Sequence, residues 1–130
     1  MGRILLVEDE VMVLALLEDA LLLQAHHVYT ARRLEEAKAL ASVLELDAAL
    51  VDVNVIHGKS WEVADVLTAR GVPFVFMSGW APSRLEVPER HHSVPFITKP
   101  FRLADIVTII RALITNGGIG KSGELSQQSA

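Results

Sequence analysis

Residues 48–60 read AALVDVNVIHGKS. Ala48, Ala49, Leu50 and Val51 run straight into one carboxylate, Asp52, and the chain then passes Asn54 and His57 to a turn at Gly58. The apolar residues are consecutive rather than alternating. That pattern predicts a strand buried on both faces, as in a parallel sheet with helices on each side. An acid at the end of such a strand is costly unless a neighbouring group uses its charge. Fold and function therefore turn on what lies beside this strand and its acid.

Four further β-type runs surround it: RILLVE (3–8), HVYTA (27–31), PFVFM (73–77) and PFIT (95–98). Helical patterns separate them. Residues 10–25 are rich in Leu and Ala, and Leu34, Ala37, Leu40 and Ala41 recur at helical spacing within 34–44. In 60–70, Ser60 stands as the predicted N-cap and Gly71 as the stop, and 102–115 ends before Asn116-Gly117. Pro82 and Pro88 leave only a turn or two of helix in 81–94. Strands alternating with helices imply right-handed βαβ units. The expected architecture is α/β: a flavodoxin-like, doubly wound sheet of five parallel strands in the order 2-1-3-4-5, with a shortened fourth helix. Its functional crevice lies at the carboxyl ends of the strands. Residues 1–115 form the expected domain, and 116–130, rich in Gly, Ser and Gln, read as a flexible tail.

Composition narrows the function. Of 130 residues, 51% are hydrophobic, so one substantial core is within reach. No apolar run approaches the roughly 20 residues of a membrane span, and Met1-Gly2-Arg3 does not open a signal peptide; the expectation is a cytoplasmic protein away from membranes. There is no cysteine, which excludes disulfides and thiolate metal sites. Net charge is -4 and no basic cluster stands out, which argues against a nucleic-acid partner.

The predicted strand ends carry the chemistry. The first ends at Glu8-Asp9-Glu10, the third at Asp52, the fourth at Met77-Ser78-Gly79 and the fifth at Thr98-Lys99-Pro100. Glu8, Asp9 and Asp52 brought together would repel one another unless a cation intervened. Magnesium takes oxygen ligands, commonly one or two carboxylates plus a phosphate oxygen. Asp9 and Asp52 are the direct candidates, Glu8 acts directly or through water, and the Asn54 backbone carbonyl offers another place. Lys99 is placed to pair with Asp52, held inward by Pro100, which restricts its predecessor to extended backbone. Ser78 adds a hydroxyl. Acid, metal, hydroxyl and ammonium at one edge describe a phosphoryl-transfer site with Asp52 as nucleophile.

With LLVEDE, LVDVN, FMSG and TKPF in this order, residues 3 to about 115 resemble the receiver domain of two-component response regulators, in its stand-alone, CheY-like form. The resemblance implies that Asp52 accepts a phosphoryl group from a histidine kinase or phosphotransfer protein. It implies that Glu8 and Asp9 hold Mg2+, that Ser78 contacts the phosphoryl group and shifts when it arrives, and that Lys99 pairs with it. Phe96 matches the switch aromatic that turns inward on activation. The output is then a change in which downstream protein is bound, with no output domain of its own: a signalling switch rather than an enzyme. The loop after Asp52 is short and lacks the family's usual proline. The curtailed fourth helix departs from the usual dimer face.

Other classes remain as alternatives. An aspartyl-phosphate phosphatase usually needs a second acid two residues after the nucleophile, where this chain has Asn54. A pseudo-receiver binding module would not need the full set of acids and lysine. No glycine-rich loop follows the first strand, which disfavours a nucleotide site. Asn54 and Trp80 are candidates to set the hydrolysis rate by orienting and excluding water; the simpler role for Trp80 is packing on the segment after it. His26, His27, His91 and His92 read as surface-loop residues. His57 reads as exposed, with modulation of the site near neutral pH as its functional alternative. The first helix, with Val11, Met12, Val13, Leu14, Leu16, Leu17 and Leu21–Leu23, is apolar over more than one stripe. Its surplus is expected to dock a kinase, with a homodimer interface as the alternative, and Leu14 and Leu23 as probes.

Overall fold

In a computed structural model described for residues 1–116, β3 (Ala48–Asp52) is the central strand of a five-stranded parallel sheet. Its neighbours are β1 (Arg3–Val7) and β6 (Phe74–Ser78), with β2 (His27–Ala31) and β7 (Phe96–Thr98) at the edges, giving the order β2-β1-β3-β6-β7. Once the small hairpin β4 (Asn54–Val55) with β5 (Gly58–Lys59) is set aside, this is the expected order 2-1-3-4-5. The helices are α1 (Val11–Leu23), α2 (Leu34–Val43), α3 (Trp61–Ala69), α4 (Pro82–Leu85) and α5 (Leu103–Asn116). The expected tail beyond Asn116 lies outside the described residues.

Every residue of β3 is buried, and successive side chains enter different cores. Ala49 and Val51 pack with Leu5, Val7, Ala37, Ala41, Val63, Leu67 and Phe76 on the α2–α3 side. Ala48 and Leu50 pack with Ile4, Leu6, Leu17, Leu21, Met77, Ile106 and Ile110 on the α1–α5 side. This two-sided burial is why the central runs lack polar alternation. A fully buried Leu or Val contributes about 1.5–3 kcal/mol, so the sheet centre is a rigid base for whatever stands at its end.

The differences from expectation are local. Glu8, Pro73 and Pro95 fall just outside their strands, while Ser78 is the last residue of β6. The two prolines have no N–H to give the ladder. Ser60 occupies the N-cap position of α3 but does not cap it; its hydroxyl donates instead to the Asp52 carbonyl at 2.6 Å. The hairpin was not legible because each arm has only two residues. His57 in its turn has φ 81, a left-handed conformation that costs a non-glycine residue about 1–3 kcal/mol.

Two histidines expected at the surface are buried. His26 accepts a hydrogen bond at Nδ1 from the Gly2 amide at 3.0 Å, closing the amino-terminal end of the sheet. His91, in a short 3-10 turn (Glu89–His91), stacks against Trp61 and meets Phe76 edge-on. Its Nε2 approaches Asp65 Oδ1 to 2.9 Å without the alignment of a hydrogen bond. Leu14 is also in the core rather than on the surplus face of α1. That face consists of Val11, Met12, Leu16, Leu22 and Leu23, with Leu23 83% exposed.

Candidate functional site

The carboxyl ends of β1, β3, β6 and β7 bring the predicted chemistry together. β1 delivers Glu8, fully buried, and the half-buried Asp9 after it; β3 delivers Asp52, 4% exposed. Oxygens of Glu8, Asp9 and Asp52 lie within 4.8 Å of one another. From the loop after β7, Lys99 sends its ammonium into the group, donating to Asp52 Oδ2 at 2.7 Å and to Glu8 Oε1 at 2.8 Å. Glu10 approaches the same ammonium more loosely, at 3.6 Å. The peptide bond between Lys99 and Pro100 is cis.

Burial and charge act against each other here. Burial pushes the Glu8 carboxyl above the usual range, with the Lys99 hydrogen bond opposing that and the Asp52 charge adding to it. Burial also raises Asp9, and the adjacent Glu8 charge raises it further. Burial works against the Lys99 ammonium, but the hydrogen bonds to Asp52 and Glu8 outweigh it, and the net shift is upward. One ammonium thus faces a cluster of carboxylates and leaves negative charge uncompensated. A buried, uncompensated set of carboxylate oxygens suits a hard divalent cation such as magnesium. Asp9, Asp52 and Glu8 are the side chains able to hold it.

The edges of the crevice hold Asp52 in place. Its Oδ1 accepts the Asn54 amide at 3.1 Å, and its carbonyl accepts the hydroxyl of buried Ser60. Ser60 is the functional residue missed by sequence reasoning: its N-cap position was legible, but its partner eight residues back was not. The Asn54 side chain accepts from Lys59 across the hairpin. Ser78, buried at the end of β6, accepts the Trp80 amide at its hydroxyl at 3.0 Å. Trp80 itself is half-exposed and carries Arg84 over its ring, 4.5 Å from guanidinium carbon to centroid. This stack joins it to the segment after it, two residues beyond Ser78. Phe96 is half-buried on β7, its ring 5.8 Å from that of Phe76. His57 does not join the carboxylate cluster; its exposed ring is 2.6 Å from Glu35 Oε1 on α2.

No family model matches the chain, and no curated protein matches it. Solved structures do. A CheY-like response regulator receiver domain from Methanospirillum hungatei aligns with a TM-score of 0.81 at 21% identity, covering 90% of this chain and 96% of its own. The non-phosphorylated HemR receiver domain of Leptospira biflexa gives 0.75 at 26% identity, covering 88% and 95%. The receiver domain of a sensor histidine kinase from Pseudomonas aeruginosa, with a magnesium ion coordinated in its active site cleft, gives 0.73 at 22% identity, covering 88% and 98%. This chain therefore has the fold of CheY-like receiver domains over most of its length.

Proposed function

We propose that this chain uses its receiver fold as a phospho-accepting switch, with Asp52 as the acceptor. The observation that carries the reading is the buried Asp52 carboxylate bound to Lys99 at 2.7 Å, inside a carboxylate cluster at the strand ends. The donor is a phosphohistidine on a histidine kinase or phosphotransfer protein. An Asp52 oxygen attacks phosphorus, a P–O bond forms, and the P–N bond to the imidazole breaks. The electron pair goes to the imidazole nitrogen, which is then protonated. Lys99 moves from pairing the bare carboxylate to pairing the phosphoryl oxygens, and Ser78 donates its hydroxyl to one of them. Asp9, Asp52 and Glu8, with the Asn54 carbonyl as a further donor, would hold a magnesium ion, which would supply positive charge against the phosphoryl group.

Loss of the Lys99–Asp52 pair and recruitment of Ser78 would act on β6 and β7, where Phe76 and Phe96 touch. The readout is then a change in partner binding at the neighbouring surface. The exposed apolar face of α1, next to Glu10 and Lys99, is the proposed docking surface for the phosphodonor, with a homodimer as the alternative. Among the described residues no helix is long and apolar enough to cross a membrane, and a cytoplasmic signalling protein without enzymatic turnover of external substrates is the reading adopted.

The test is intact mass after incubation with magnesium and a small phosphodonor. The expected result is one labile phosphoryl adduct, absent in Asp52→Asn. Rapid multiple turnover of phosphate esters would point to a phosphatase, and no adduct to a binding module that never carries phosphate.

A further inference from the structure

The residues leading into α2, together with its first turn, touch both loops that frame the crevice, a contact that the phosphoryl chemistry does not use. On one side, the Arg32 guanidinium donates from Nε and Nη2 to the Asp9 carbonyl, each at 3.3 Å. On the other, the Leu34 amide donates to the Ile56 carbonyl at 3.0 Å, and Arg33 and Ile56 form an isolated parallel bridge. The His57 ring then closes on Glu35 at 2.6 Å. His57 holds its left-handed backbone at this point. The same hairpin carries Asn54, whose amide bonds Asp52. Glu35 shares a surface cleft with Arg32, Arg33 and Glu36, and Lys59 stands two residues after His57 on the hairpin. Glu35 alone is in contact with the His57 ring among the ion pairs described.

We infer that Glu35 is a positioning residue for the site: through His57 it latches the hairpin after Asp52 against α2, and the latch loosens as the imidazole loses its proton. The inference deepens the receiver reading, because the element it holds is the one that carries Asn54 to the acceptor. A charge-assisted hydrogen bond is about twice as strong as a neutral one. The neutral ring can still donate from Nδ1, so the latch weakens rather than vanishes. Glu35 stays ionised throughout, since its hydrogen bond with His57 holds its carboxyl below the ordinary range. The proton responsible for the change is therefore on the histidine.

The experiment follows the backbone amide resonances of Asn54 and Ile56 in the magnesium-free protein from about pH 5.5 to 8.5. One inflection is expected, tracking the His57 ring resonances, and it disappears in Glu35→Gln and in His57→Asn. Asparagine tolerates left-handed backbone, so the second variant keeps the turn. Titration with magnesium alone supplies a second readout. At the acidic end Glu35→Gln should weaken binding by up to about fivefold, the range of one exposed ion pair, with a smaller effect at the alkaline end. Amide shifts that stay flat across the interval, or an inflection that persists in both variants, would overturn the inference. An intact inflection in a protein that takes no phosphoryl group would instead refute the receiver reading alone.

Discussion

Replacing Lys99 by methionine keeps the apolar stem and removes the ammonium. In the native protein that ammonium bonds Asp52 at 2.7 Å and Glu8 at 2.8 Å. Glu8 is fully buried and the side chain of Asp52 is only 6% exposed. Lys99→Met therefore strands two buried carboxylates. Breaking a buried pair in this way costs about 3–5 kcal/mol. In a domain of this size that is a fall in Tm of roughly 10–20 °C. The sign at neutral pH is clear. Lys99 has a raised pKa, so the stability it contributes is fully present below the ordinary lysine value of about 10.4 and is lost only as pH rises through the shifted one. Urea unfolding at pH 7.5 without divalent cations is the assay. Magnesium should recover part of the loss, and so should Glu8→Gln added to the variant, because each relieves the same stranded charge. A loss below about 1 kcal/mol, or one that neither magnesium nor Glu8→Gln reduces, would refute the view that Lys99 is the counter-charge of this site.

Because burial raises the Glu8 carboxyl, magnesium-free wild type should lose stability relative to Glu8→Gln as pH rises from the ordinary glutamate range through the shifted value; parallel stability curves would contradict this. Ser60→Ala leaves the buried Asp52 carbonyl without its hydroxyl partner and should cost about 1–3 kcal/mol by urea unfolding, whereas a neutral substitution would show that the 2.6 Å contact is unimportant. Trp80→Ala should shorten the half-life of the phosphorylated protein by admitting water beside Ser78, at a stability cost of only about 0.5–1 kcal/mol for the lost stack with Arg84; an unchanged half-life would leave Trp80 a packing residue.

The central strands were legible because burial on both sheet faces leaves an unbroken apolar run in the sequence, and Ala48–Val51 is such a run. The carboxylates and Lys99 were legible because each stands at a strand end, so alternation of strands and helices is enough to place them at one edge. What escaped sequence reading depends on contacts between distant or very short segments. Ser60 looks like a helix cap because local pattern cannot show that its hydroxyl is drawn to the Asp52 carbonyl. His91 looks like half of an exposed pair because local pattern cannot show that its ring packs against both Trp61 and Phe76. Leu14 belongs to a helix so apolar that its sequence does not reveal which leucines face inward. The Arg32–Glu35 contacts join three separate loops, and no periodicity encodes them.

The two tryptophans occupy unlike surroundings. Trp61 follows Ser60, half-buried, edge-on to Phe76 with ring centroids 5.4 Å apart, while Trp80 follows Ser78 by two residues and is half-exposed under Arg84. The emission spectrum should therefore contain a blue component from Trp61 and a red one from Trp80. Replacing either tryptophan by phenylalanine leaves a single tryptophan, so with excitation selective for tryptophan the two can be timed separately after a phosphodonor is mixed in. The order in which the two signals move would reveal which wall of the crevice responds first.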